Sequence, residues 1–272
     1  MLSLESPSLS YKNTCVSIEH IRRHEPCVSW FVNGKCLWRS GDFKTFQSLK
    51  KEVCRTTLIS SPFQTIASPE HLSPVFLLWN QESFNIHVDQ IEVPLMDGSA
   101  LPWFFALRHI VKAPQPLSFY DAPIYGEWTF PSGYVKITPA ETFEVEYSMN
   151  RNHYSDSAFV SIYDTVDLFP ILSARTFIFE EDYEKARRDG LLAGVDEKRG
   201  LLLKINSSNR LEVLSGGSLR HPQEPILHKI LDLIGDLTLH YPFLPKLRIT
   251  IHNGGHIVHH QILERLLAYV LA

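Results

Sequence analysis

The sequence predicts an α+β protein of two domains. Three observations carry this reading. Each half runs through short strands before its helices, a proline-containing stretch lies between the halves, and two helical segments with a strand between them close the chain. A chain of 272 residues is long enough for two domains of ordinary size. They are expected at 1–115 and 116–272, with residues 112–118, Lys-Ala-Pro-Gln-Pro-Leu-Ser, as the linker.

The elements follow in order. Residues 27–31 and 35–38 read as strands around Val32-Asn33-Gly34, and Asn-Gly favours a tight hairpin turn. Ser68-Pro69-Glu70-His71 reads as a helix start, with serine suited to the cap, proline to the first helical position and glutamate to the positive end. Pro74 removes a backbone donor, so this helix should be short or kinked. Residues 84–93 alternate as a strand. A second helix follows Met96-Asp97-Gly98-Ser99, runs through Trp103 to Val111 and stops near Pro114 and Pro116. In the second half, residues 124–130, 134–138, 143–149 and 158–163 read as strands, 180–188 as a helix ending near Gly190, and 200–205 and 210–214 as further strands. Helices at 223–240 and 255–271 flank a strand at 247–252. No repeat is visible at the level of residue identity.

Composition narrows the function classes. With 44% hydrophobic residues there is ample material for a core, which excludes a disordered chain. The 26 basic and 30 acidic residues give a net charge of -4, which argues against nucleic acid as a partner held by bulk charge. No apolar run approaches the ~18–20 residues that span a bilayer, and residues 1–12 carry no apolar signal core. The protein is expected to be soluble, cytoplasmic and monomeric. Its four cysteines, at 15, 27, 36 and 54, form no Cys-x-x-Cys pair and are expected to be reduced and at least partly buried. A metal site would have to draw on the thirteen histidines and the carboxylates.

The segment 223–240 is the most informative. On a helical wheel, Ile226, Leu227, Ile230, Leu231, Leu233, Ile234 and Leu237 share one arc. His228, Asp232, Gly235 and Asp236 share another, with Lys229 at its edge. His228, Asp232 and Asp236 are spaced i, i+4, i+8 and stack on one face. A histidine and an aspartate one turn apart can share a metal. The same spacing also suits a solvent-facing polar stripe with an ion pair. Glu70-His71 could supply a base and a ligand, or serve as ordinary capping. His256 opens a helix after Gly254-Gly255, where the helix field disfavours a ring proton and nearby carboxylates can restore it. It could equally be a surface histidine.

Taken in order, Pro69-Glu70-His71-Leu72, Pro94-Leu95-Met96-Asp97-Gly98-Ser99-Ala100, Ala174-Arg175-Thr176-Phe177, the run from His228 to Asp236 (HKILDLIGD) and Gly255-His256 form five blocks. With them the chain resembles, from about Arg55 onward, the zinc-dependent UDP-3-O-acyl-N-acetylglucosamine deacetylases of lipid A biosynthesis. The resemblance implies two domains, each a small sheet with two helices, with the helices sandwiched between the sheets. It implies that His71, His228 and Asp232 bind zinc and that Glu70 is the general base. His256 would be the cationic partner of the leaving amine or the oxyanion, oriented and charged by Asp236. Thr176 would donate to the oxyanion, and Lys229 and Phe177 would contact a UDP-sugar substrate carrying an acyl chain. Physical chemistry asks for the same three agents: a metal to polarise the amide, a carboxylate to deprotonate water and an imidazolium to protonate the amine.

The chain also departs from the family pattern. A glycine-rich opening motif is replaced by Thr14-Cys15-Val16-Ser17-Ile18-Glu19-His20, a family lysine is Asn253, and an arginine before His228 is Leu227. Pro74 interrupts a helix that normally runs on, and residues 194–218 match the family's Gly-Gly-Ser-Leu-Asp-Asn stretch poorly. Two alternatives therefore stand beside the deacetylase: a divergent paralogue acting on another N-acyl sugar, and a binding protein that keeps the metal site without turnover.

Overall fold

A computed structural model describes residues 1–48, 50–53, 56–189, 192 and 195–270, with the side chains of 47, 48 and 50–53 left aside. The first sheet has five strands, in spatial order Leu2–Ser6, Thr14–Ile21, Ser83–Val88, Val28–Val32, Lys35–Arg39. The second also has five, in order Gly126–Phe130, Gly133–Pro139, Leu247–His252, Phe143–Arg151, Tyr154–Ile162. The two sheets share one topology. In each, a hairpin-like pair and a second pair are joined by the last strand in sequence, which enters the middle, antiparallel to the second strand and parallel to the third. The chain thus repeats an architecture that no residue identity betrays.

The helices lie between the sheets. Just before the first central strand come two 3-10 turns, Pro69–His71 and Ser73–Trp79. Just before the second comes the helix Glu224–Thr238. These equivalent elements pack on each other, every residue of both turns is buried, and one continuous apolar core runs from Val16 to Leu267. Each central strand is followed by a further helix, Leu101–Leu107 in one half and His256–Val270 in the other. Each half also carries an insert before its central turn or helix. The first holds the helix Phe43–Ser48 and the strands Lys50–Val53, Thr57–Ser60 and Thr65–Ala67. The second holds the helices Thr165–Leu172 and Glu180–Arg188 and the strands Phe177–Phe179, Leu201–Ile205 and Leu211–Ser215.

Most local expectations hold. Asn33 and Gly34 have φ of 51 and 76, as a type I′ hairpin turn requires. Pro74 does shorten its helix, leaving tight 3-10 turns where the amide donor is missing. Four differences need a physical reason. Ser68 does not cap: its φ is 57, and its hydroxyl instead donates to Glu92 Oε1 at 3.3 Å. The strand expected to reach residue 93 ends at Val88, because Asp89 turns back to accept from the amides of Cys15 and Gln90. The helix Thr165–Leu172 was not expected; a capping box between Asp164 and Asp167 starts it, and it accommodates Pro170. Cys36 is exposed on a strand rather than buried. The expected helix stop at Gly190, the last expected helical residue Leu271 and Cys54 fall outside the described residues. Residues 112–118 are tied down through Trp79 Nε1 to the Lys112 carbonyl at 2.7 Å and the Gln115 amide to the Leu78 carbonyl at 2.9 Å. Among the described residues, no helix is long and apolar enough to cross a membrane.

Candidate active site

The polar arc of the Glu224–Thr238 helix does not face solvent. His228 and Asp232 are 2% exposed and Asp236 is fully buried, because the Pro69–His71 turn lies across this face. Gly235 makes the contact possible: a Cβ there would stand 2.0 Å from the Glu70 carbonyl oxygen. Ser73 Oγ donates to the Gly235 carbonyl at 2.7 Å and closes the seam.

Three ligand-type atoms converge at this seam. Asp232 Oδ1 lies 3.2 Å from His228 Nε2 and 3.4 Å from His71 Nε2. His228 Nδ1 is 3.0 Å from the Ala174 carbonyl, which can only accept, so Nδ1 carries a hydrogen and Nε2 is the ring atom open to a metal. Asp232 Oδ2 accepts from Lys229 Nζ at 3.2 Å, whereas buried Oδ1 has no hydrogen-bond donor among the described residues. Burial alone would raise the Asp232 pKa, but positive charge on a protonated His228 and on Lys229 holds it well below the ordinary carboxylate range. A buried carboxylate oxygen without a donor, facing two imidazole nitrogens, is a donor set that suits a divalent metal.

Beside this cluster stand a carboxyl and an imidazole. Glu70 Oε1 accepts from Thr56 Oγ1 and from the Thr57 amide at 3.3 Å, and Oε2 has no partner among the described residues. Burial raises the Glu70 pKa, against the lowering pull of His256 and His71. His256 Nε2 lies 3.9 Å from Glu70 Oε1, and its Nδ1 donates to Asp236 Oδ2 at 2.7 Å. Burial favours a neutral His256, yet the Asp236 carboxylate outweighs it and pushes the pKa up to about 9. Asp236 Oδ1 accepts from Thr57 Oγ1 at 2.5 Å. Burial would raise the Asp236 pKa, and His256 drives it far below the ordinary value.

Residues 36–268 match the UDP-3-O-acyl N-acetylglycosamine deacetylase family, which is most of the chain. The chain belongs to that family. A relative from Synechocystis sp., named UDP-3-O-acyl-N-acetylglucosamine deacetylase, is 28% identical over 227 residues, covering 79% of this chain and 78% of its own. Relatives of the same name from Coxiella burnetii and Shewanella loihica are 29% and 28% identical; the first covers 75% of this chain and 67% of its own, the second 83% and 74%. The family match begins upstream of Arg55, where the sequence resemblance became legible.

The remaining family-type residues cluster nearby. In the second insert, Arg175 is buried and pairs with Glu224, Nε to Oε1 at 2.8 Å and Nη2 to Oε2 at 3.0 Å. That pair fixes the Ala174–Phe177 segment to the start of the His228 helix. Phe177 meets the His228 ring at 6.3 Å between centroids, and Lys229 Nζ lies 5.7 Å from the Phe177 ring centre. Thr176 is held through its backbone, its amide donating to the Gly98 carbonyl at 2.7 Å. A cavity of about 320 Å³ opens alongside. Leu58, Ile91, Leu95, Ile178, Val195 and Leu201 give it an apolar wall, and Thr56, Thr176 and Phe177 join that wall to the polar cluster.

The departures have structural consequences. Asn253 is no free surface group, since its Nδ2 donates to the Ser132 carbonyl at 2.9 Å and its Oδ1 accepts from the Asn150 amide at 2.6 Å. Leu227 packs in the apolar core at 3% exposure. Four residues in or against the site went unread in the sequence: Thr56, Thr57, His259, whose Nδ1 lies 2.9 Å from Asp236 Oδ2, and Tyr147, whose hydroxyl lies 3.3 Å from His259 Nε2. His259, one turn after His256, carries an i, i+3 signal. Thr57 carries none, because it meets Asp236 across 179 positions of chain.

Proposed function

We propose that this chain hydrolyses the N-acetyl group of a UDP-3-O-acyl-N-acetylglucosamine, releasing acetate as an early committed step of lipid A biosynthesis. We further propose that His71, His228 and Asp232 hold one zinc ion. The observation that carries the reading is Asp232 Oδ1, buried without a donor among the described residues and facing two imidazole nitrogens, with Glu70 and His256 at its side. Family membership supports the substrate class.

When bound, the ion supplies Lewis-acid polarisation of the amide carbonyl and makes an attacking water more acidic. Glu70 takes a proton from that water. Its buried carboxyl, with one oxygen unpartnered, is a stronger base than an exposed one. The water oxygen adds to the acetyl carbon, and the carbon–nitrogen bond then breaks. His256, cationic through Asp236, has Nε2–H available to stabilise the developing oxyanion or to protonate the departing amine. Thr176 is assigned a hydrogen bond to the oxyanion, and Lys229 and Phe177 contacts with the sugar nucleotide. The apolar cavity suits the 3-O-acyl chain. All the acid–base groups being present favours turnover over a binding protein that merely keeps the metal site.

Metal analysis tests the ligand set. The purified chain should carry about one zinc per molecule, and folded His228→Ala and Asp232→Ala variants should lose both the zinc and acetate release. Full zinc retention in those variants would overturn the assignment.

A further inference from the structure

His259 has no part in the mechanism above, yet it is fully buried one turn beyond His256 on the same helix. Its Nδ1 lies 2.9 Å from Asp236 Oδ2, the same oxygen that His256 Nδ1 meets at 2.7 Å. A carboxylate oxygen only accepts, so both Nδ1 atoms carry hydrogen. His259 Nε2 lies 3.3 Å from the Tyr147 hydroxyl. Burial holds the Tyr147 pKa well above its ordinary value, and burial lowers that of His259 against the pull of Asp236. The consistent assignment is a neutral His259 that accepts from the Tyr147 hydroxyl and donates to Asp236. The backbone seats the hydroxyl closely: a Cβ on Gly254 would stand 3.0 Å from it.

We propose that His259 is a positioning residue that sets the acidity of His256 by acting through Asp236. The proposal rests on the reading of His256 as the acid of the deacetylation. Two donors share Asp236 Oδ2. Each one stabilises the carboxylate and weakens its hold on the other partner's proton. Without His259, the whole pull of that oxygen falls on His256, which then holds its proton to higher pH and gives it up less readily near neutrality. The other groups facing His256 are Asp232 on the Asp236 helix, Glu70 on the Pro69–His71 turn, and Thr57, whose hydroxyl lies 3.3 Å from His256 Nδ1 and 3.2 Å from His260 Nε2. None of these is altered by substitution at 259.

The test compares the zinc-loaded wild type with His259→Phe, His259→Asn, Tyr147→Phe and His256→Gln, reading the pH profile of kcat and the NMR titration of the His256 imidazole. His259→Phe removes the donor and should move the descending limb and the imidazole titration upward by about half a unit or more. His259→Asn keeps an N–H and should return both to within about 0.2 unit of wild type. Tyr147→Phe should shift both in the same direction by less. A purely structural role would lower kcat at every pH and move neither titration. An unshifted His256 titration in folded His259→Phe, or a shift in His259→Asn as large as in His259→Phe, overturns the proposal. Should His259→Phe fail to fold, an unshifted Tyr147→Phe overturns it equally. A wild-type descending limb in His256→Gln would instead sink the acid role of His256, while the imidazole titration still decides the role of His259.

Discussion

Glu70 is positioned at both its backbone and its carboxyl. Its backbone rests on the bare Cα of Gly235, and its Oε1 is held by Thr56 and Thr57, while Oε2 has no partner among the described residues. Glu70→Gln keeps the shape and the acceptor but cannot take a proton. Acetate release should therefore fall about 10²–10⁴-fold with zinc content unchanged, and near-normal turnover would remove Glu70 from the base role. Gly235→Ala tests the seam. Its Cβ would collide with the Glu70 carbonyl, a backbone atom that cannot rotate away. Stability should drop by about 1–3 kcal/mol, and kcat should fall further than that loss explains because the Glu70 carboxyl, the proposed base, moves with the turn. Denaturant unfolding and kcat on the same preparation check this, and an unchanged kcat would show that Glu70 position is not set here.

At the scale of elements, the His256–Val270 helix begins with a buried cation whose charge depends on the Asp236 helix. The His256 pKa rises from an ordinary 6.5 to about 9, so the folded state holds a proton that the unfolded chain releases. Stability from this pair is fully present below about pH 6.5 and is lost as pH rises through about 9. At about 1.4 kcal/mol per pH unit, the loss approaches about 3 kcal/mol. Unfolding curves from pH 6.5 to 9 should show this decline in the wild type and not in His256→Gln; parallel declines would contradict it. The stacking of His228, Asp232 and Asp236 was legible, because a period of 3.6 residues fixes who shares a face. That this face is buried was not legible, because a polar arc looks the same whether water or another backbone covers it. Gly235 within that arc was the one local hint of close approach. The 3-10 turns were half legible through Pro74. Thr57 was invisible, since hydrogen bonds across long stretches of chain leave no periodic trace.

At the scale of the whole molecule, a duplicated scaffold carries the site. The seam forms where the Pro69–His71 turn of one half meets its counterpart helix of the other, and each half's insert adds side chains beside it, Thr57 from the first and Phe177 from the second. The duplication was hidden from the sequence because sheet topology constrains hydrophobic alternation far more than residue identity. The cavity between the inserts leads to a substrate prediction. If it takes the acyl chain, each buried methylene contributes roughly 0.8 kcal/mol, and removing a chain of ten or more carbons should lower kcat/KM by several orders of magnitude. Comparable kcat/KM for UDP-N-acetylglucosamine with and without the 3-O-acyl group would move the enzyme towards another N-acyl sugar. Acetate release from the 3-O-acylated UDP-sugar, before and after chelation and stepwise return of zinc, decides whether the His71–His228–Asp232 cluster supports metal-dependent N-deacetylation. Activity should vanish on chelation and recover fully at about one zinc per chain; acetate release that survives complete removal of the metal would rule out metal-dependent deacetylation at this cluster.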